Sequence, residues 1–299
     1  MIYLIYLKNG GIIVNEKSNK IKKIIAIICA VVFALGVISG IIVDKALHPS
    51  PRIKSVTDIT ATNAADIKLT AHRGLSALAP ENSLAAFRLA GEYGFYAAEC
   101  DVNLTKDGVW VISHDETINR MTNGRGNISD YTYEQLQQFK INAGNGIRKY
   151  NSEKIPSLEQ YLEVCADYNI IPEIEIKNGS NEKLCEILTL LDKYSLRDKA
   201  IIISFSAEKL GVIRDADSDI ELWYLMNELS DDDIALALEM NYAVAFNCSK
   251  TDDAMIKKAG DSGLQLCSWT VDSIKRASTL CEAGVNYITT NSILPQSAE

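Results

Sequence analysis

The sequence predicts an α/β fold, a (βα)8 TIM-type barrel with an insertion after its third strand, preceded by one amino-terminal transmembrane helix. Three observations carry that reading. Short apolar runs alternate with segments of helical period from residue 67 onward, which implies a parallel sheet covered on its faces. Residues 67–299 hold eight or nine such strands, a count that fits a closed barrel better than a doubly wound sheet. No glycine-rich phosphate turn follows the first strand, as a doubly wound nucleotide fold would favour. The 299 residues are 47% apolar and 23% charged, which excludes a disordered chain, collagen or a small disulfide scaffold.

Taken from the amino terminus, residues 1–23 form a basic tail. Residues 24–43 are twenty apolar or small residues without a charge. As a helix rising about 1.5 Å per residue they span roughly 30 Å, the hydrocarbon thickness of a bilayer. A cleaved signal peptide is the rival, but its apolar region is about 7–15 residues and ends at a small-x-small site. Here the run leads straight into Val43-Asp44-Lys45. Lys17, Lys20, Lys22 and Lys23 crowd the amino side, so the positive-inside rule places residues 1–23 in the cytoplasm and the barrel outside. The expected location is a cell membrane, spanned once. Residues 44–66, with Pro49 and Pro51, read as a linker.

Charge is divided unevenly. Residues 1–54 carry eight Lys or Arg against Glu16 and Asp44, while residues 55–299 have a net charge of −15. A domain so acidic repels phosphate backbones, so no nucleic-acid partner is expected. Cys29 lies in the apolar run, and the other six cysteines are scattered without a close metal spacing, which reads as buried free thiols.

The candidate strands of residues 67–299 lie at 67–72, 97–102, 109–114, 171–176, 200–204, 220–225, 243–247, 264–269 and 286–290. That is one too many for a plain barrel. The second and third are separated by Asn103 to Gly108 only, too short for a crossover helix, so they are expected to form a hairpin turning at Lys106-Asp107-Gly108. Residues 115–154 are a long polar insertion of the kind that usually serves a site.

Polar residues gather where these strands end. His72-Arg73-Gly74 ends the first and His114-Asp115 the third. Glu99 and Asp101 are two apart on the second, as are Glu175 and Lys177 at the end of the fourth, so each pair shares a face. Trp269 closes the eighth. In a barrel this end carries the active site. Three carboxylates converging there suggest a cation, and an all-oxygen set favours Mg²⁺ or Ca²⁺ over zinc. His72 and His114 stand as a general acid/base pair. Glu173 lies on the same face as Glu175. Asn82 or Ser83 is expected to cap the next helix, and Arg120, Arg125, Arg148 and Lys149 read as a solvated surface, with contact to an anionic substrate as the alternative.

Together these residues resemble the glycerophosphodiester phosphodiesterase family. The matching string runs His72-Arg73-Gly74, Pro80-Glu81-Asn82-Ser83, Glu99-x-Asp101, Thr105-Lys106-Asp107-Gly108, His114-Asp115, Glu175-Ile176-Lys177 and Trp269-Thr270-Val271. The resemblance implies a metal-dependent enzyme that hydrolyses glycerophosphodiesters to glycerol 3-phosphate and an alcohol. It implies that His72 and His114 are the acid/base pair and that Glu99, Asp101 and Glu175 hold one divalent cation, Ca²⁺ or Mg²⁺. Arg73 and Lys177 would neutralise the phosphate, and Trp269 would pack against glycerol. A lysophospholipid, a polyglycerol-phosphate wall polymer, or an inactive membrane-tethered binding barrel are the alternatives. Two departures stand out. Asn291 lies near the position of the family's closing-strand Asp, and Asp272 stands where Asn often follows Trp-Thr-Val. Neither is expected to touch a metal or acid/base position, so they are expected to bear on strand closure and substrate fit.

Overall fold

The computed structural model describes residues 53–61 and 66–295, together with 23, 26–28, 30 and 31. The chain divides into two units, Met1–Ser50 and Pro51–Glu299. In the first, the six described residues are helical, and Ile27, Ile28 and Val31 are exposed. Most of the expected span over 24–43 therefore lies outside the described residues, as does nearly all of the basic tail. Among the described residues no helix is long and apolar enough to cross a membrane.

The second unit is built on strands β1 (Lys54–Ser55), β2 (Lys68–Ala71), β3 (Ala97–Leu104), β4 (Trp110–Ile112), β5 (Ile171–Ile176), β6 (Ile201–Ser204), β7 (Glu221–Met226), β8 (Ala243–Asn247), β9 (Leu266–Trp269), β10 (Tyr287–Thr290) and β11 (Ile293–Leu294). Strands β2, β3 and β5 to β10 pair in parallel in chain order, and β10 returns to β2 to close the ring. The eight-stranded barrel is thus present. The expected hairpin is present too: β4 runs antiparallel to β3, pairing Val102 with Ile112 and Leu104 with Trp110, and stays outside the ring. Its turn holds Gly108 at φ +77°, a left-handed conformation that costs a glycine little.

Helices α1 (Leu84–Glu92), α2 (Tyr133–Leu136), α3 (Leu158–Tyr168), α4 (Asn181–Lys193), α5 (Ala207–Ala216), α6 (Asp231–Met240), α7 (Asp253–Asp261) and α8 (Ile274–Glu282) complete the unit. Apart from the short α2 in the insertion, each returns the chain from one barrel strand to the next. A Ser or Asp side chain caps every one of these seven, from Ser83 on α1 to Ser273 on α8, by accepting a backbone N–H of the first turn. That satisfies donors the helix itself cannot.

Strand alternation divides the core. Ile202, Leu222, Val244 and Ile174 point outward and join the helices in the larger cluster. Ile201, Ile203, Trp223, Leu225, Ala245 and Cys267 fill the barrel interior. The same period turns Glu99 and Asp101 inward and sends Cys100 and Val102 to the helix side. The six described cysteines are free, five of them buried and Cys185 partly so. Within the insertion, Ile118, Ile128 and Leu136 pack with Val111 and Ile155 into a small core of their own.

The linker reading of residues 44–66 needs correction over 53–61. β1 pairs in parallel with β11, matching Lys54 to Ile293, and Ile59 and Ala61 are buried in the barrel's outer core. The Thr60 N–H donates to Ser278 Oγ on α8 at 3.1 Å. Ile59 and Ala61, apolar and alternating about the exposed Thr60, are the available signal, too short to stand out in a segment that opens with Pro49 and Pro51.

Candidate active site

β3 and β5 build the acidic half of the site. Their register sets Glu99 beside Glu173 and Asp101 beside Glu175, so four carboxylates form two inward steps. The upper group is tight: one oxygen from each of Glu99, Asp101 and Glu175 lies within 4.8 Å of the others. Glu173 sits apart from that set and accepts from Thr70 Oγ1 at 2.9 Å.

Such crowding needs countercharge. Lys177 Nζ lies 2.5 Å from Glu175 Oε1 and 2.9 Å from Asp101 Oδ1. Burial alone would raise Asp101, but Lys177 and Arg73 hold its carboxyl down to about 2. Asn82 helps, donating from Nδ2 to Asp101 Oδ2 at 2.7 Å. Burial pushes Glu175 up to about 7, with Asp101 adding to the rise. Glu99 is raised well above the usual carboxylate range by burial and by its two acidic neighbours.

One atom of this cluster has no protein partner. Glu99 Oε2 accepts the Arg73 N–H at 2.7 Å, but Oε1 is buried and unbonded. A buried acceptor left without a donor costs about 1–3 kcal/mol. Here it lies among two other carboxylates in an oxygen-only set, which fits a hard divalent cation. Glu99, Asp101 and Glu175 are the residues that would hold it.

The two histidines reach the same place by different routes. His72 follows β2 and its Nδ1 lies 2.8 Å from Asn291 Oδ1. Burial, with Arg73 alongside, lowers its pKa. His114 follows β4, which the hairpin folds back over β3; the Ser113 N–H donates to the Asp101 carbonyl at 2.9 Å. His114 Nδ1 lies 2.8 Å from Asp115 Oδ1. A cavity of about 140 Å³ is lined by His72, Arg73, Glu99, His114, Glu175, Lys177 and Trp269. Seven of the eight residues read from the sequence thus face one space, and the eighth, Asp101, lies against Lys177.

The structure adds residues that sequence reasoning assigned otherwise. Arg120 is not merely solvated: its guanidinium bonds Asp115 at 2.8 Å and Glu81 at 2.8 and 3.0 Å, and Glu81 in turn holds Arg73 Nη1 at 2.7 Å. The insertion is therefore latched to both histidine-bearing loops. Ser83 is the cap of α1, accepting the Ala86 N–H, while Asn82 is buried and serves Asp101. Asn82 stood in the quoted Pro-Glu-Asn-Ser string, but its spacing alone favoured a cap. Phe205 meets the Trp269 ring edge to face at 5.7 Å and also lines the cavity; no pattern marked it. The two departures also need correction. Asn291 contacts His72, and Asp272 contacts Asn291, so they reach the acid/base site after all.

A closed parallel barrel whose carboxyl-end mouth joins two histidines, two basic side chains and a carboxylate triad defines a phosphoric diester hydrolase. The chain belongs to the glycerophosphoryl diester phosphodiesterase family, whose model matches residues 72–294. A glycerophosphodiester phosphodiesterase of Caldanaerobacter subterraneus is 33% identical over 229 residues, 74% of this chain and 92% of that one. Human glycerophosphodiester phosphodiesterase 1 is 29% identical over 257 residues, covering 75% and 77%. Among solved structures, an Oleispira antarctica phosphodiesterase in complex with its product sn-glycerol-3-phosphate superposes with a TM-score of 0.70 at 26% identity, covering 75% of this chain and 93% of that one.

Proposed function

We propose that this protein is a membrane-anchored, divalent-cation-dependent enzyme that cleaves glycerophosphodiesters to glycerol 3-phosphate and an alcohol outside the cytoplasm. The observation that carries the reading is the single cavity shared by both histidines, two of the clustered carboxylates, Arg73 and Lys177. The relative bound to sn-glycerol-3-phosphate supports the substrate class. Anchoring rests on the apolar run of residues 24–43 and its lysine flank.

Glu99, Asp101 and Glu175 would hold one cation, Ca²⁺ or Mg²⁺, which when bound supplies charge neutralisation for the phosphoryl oxygens. Arg73 and Lys177 add positive charge at the same mouth. One histidine takes a proton from the attacking hydroxyl and the other gives one to the leaving alcohol. No Ser or Cys stands with a base at a motif position, which leaves His72 or His114 itself, water, or the substrate's own 2-hydroxyl as nucleophile, and the 2-hydroxyl is favoured because it is already held beside the phosphorus. Attack within the bound molecule gains greatly in effective concentration. It gives a cyclic 1,2-phosphate that water then opens. Trp269, with Phe205 against it, offers the apolar wall that keeps glycerol in that pose.

The test is turnover of a panel of glycerophosphodiesters by the full chain, with chelator and then Ca²⁺ or Mg²⁺ added back. Chelation should abolish turnover and one cation restore it, while a 2-deoxy analogue should be cleaved far more slowly. Turnover indifferent to chelator would remove the cation from the reading, and normal cleavage of the analogue would remove the cyclic route.

A further inference from the structure

Behind His72 lies a hydrogen-bonded chain that the reaction as described above does not use. Asp272, just beyond β9, accepts four hydrogen bonds: from the Asn291 N–H at 2.8 Å, Asn291 Nδ2 at 2.7 Å, Thr290 Oγ1 at 2.9 Å and Ser292 Oγ at 3.1 Å. Burial would raise its pKa, but Asn291 and these neighbours hold it below the usual value, so the carboxylate is ionised and can only accept. An amide facing it must present its NH₂. That orientation turns Asn291 Oδ1 the other way, toward His72 Nδ1 at 2.8 Å and Ser76 Oγ at 3.0 Å. A carbonyl oxygen facing an imidazole nitrogen requires a proton on that nitrogen.

We propose that Asp272 and Asn291 are a positioning pair that fixes His72 as its Nδ1–H tautomer, leaving the lone pair on Nε2 to take the proton from the attacking hydroxyl. The assignment rests on the proposed phosphodiesterase reading and deepens it by giving His72 the base role. Turning the Asn291 amide over would set two acceptor oxygens 2.7 Å apart, so Asp272 forbids it. Burial lowers the pKa of His72, which favours the neutral ring a base requires. The two sequence departures are then a single feature, an acid and an amide exchanged across one hydrogen bond. The acid still dictates the direction of the bond, from a place one residue further from the histidine.

The test uses the full chain labelled with ¹⁵N-histidine, whose three histidines are resolved by long-range ¹H–¹⁵N correlation and assigned with variants. His72 should show the Nδ1–H tautomer. In Asp272→Asn the Asn291 amide can turn either way, so His72 should become a tautomer mixture. Its kcat should fall at least about tenfold, up to the roughly 10²–10⁴ of a displaced general base, with KM little changed. The exchanged pair, Asp272→Asn with Asn291→Asp, should restore a single Nδ1–H tautomer and most of kcat, which guards against a mere loss of folding. An Nε2–H tautomer in the wild type, or an unaltered tautomer and kcat in Asp272→Asn, overturns the proposal. The spectrum needs no substrate. An Nδ1–H signal in a protein that cleaves no glycerophosphodiester would overturn the function and leave the positioning pair standing.

Discussion

Three carboxylates with oxygens inside 4.8 Å cannot all stay ionised on Lys177 and Arg73 alone, and their pKa values divide accordingly. Asp101 holds the charge, and Glu175 is pushed up to about 7. Replacing Asp101 with Ala removes one of the three oxygen ligands and the partner of Arg73 and Lys177, so divalent-cation affinity and turnover should fall together, as titration calorimetry and assay would show. Unchanged cation dependence in that variant would mean the ligand set is wrong. The same electrostatics predict a pH slope for the cation-free fold. Glu175 and Glu173 rise from 4.5 to about 7 and about 8, each chiefly through burial. A raised folded-state pKa gives stability that is complete below 4.5 and lost as pH rises through the folded value. Thermal unfolding with chelator should therefore move to lower temperature between about pH 5 and 8. Glu173→Gln, which keeps an acceptor for Thr70, should flatten that slope; an identical slope would show that Glu173 does not titrate there.

At the scale of elements, the barrel is held shut by more than its own ring. The segment 53–61 lies before the 72–294 family match, yet β1 pairs with β11 and Ile59 is 6% exposed. Ile59→Ala should cost about 2–5 kcal/mol of stability in denaturant unfolding, the usual range for a buried Ile. A cost near zero would mean the strap is loose in solution. The hairpin of β3 and β4 does a different job. Because β4 runs back along β3, the loop carrying His114 returns over Asp101, and Arg120 then ties that loop to Glu81 and so to Arg73.

For the whole molecule, the proposed anchoring predicts an orientation from the division of charge and of hydropathy. The basic tail before residue 24 should stay inside while the acidic barrel, at −15 over residues 55–299, faces out. Protease added to intact cells should digest the linker or barrel and spare the tail. Protection of the barrel until cells are broken would reverse the topology. If the barrel is exported as proposed, its six described free cysteines would meet an oxidising compartment, five of them buried where oxidants reach them slowly.

Period and spacing were enough to read the barrel, the β3–β4 hairpin and the seven polar residues and Trp269 at its mouth, because strand alternation fixes which side chains share a face. The acid pairs two residues apart could point only one way once the strands were placed. Partnerships across the ring were not legible. Asn82 with Asp101 is 19 residues apart, Arg120 with Glu81 is 39, and His72 with Asn291 is 219. No local pattern encodes such a meeting, since it follows from strand order and from the closure of β10 onto β2. Residues 59–61 were hidden for a similar reason: two apolar positions flanking an exposed Thr60 are too short a run to carry a period, and only the finished barrel gives Ile59 a surface to be buried on. Sequence set the chemistry available to the mouth. Ring closure decided which of those groups touch, and therefore which way the proton on His72 points.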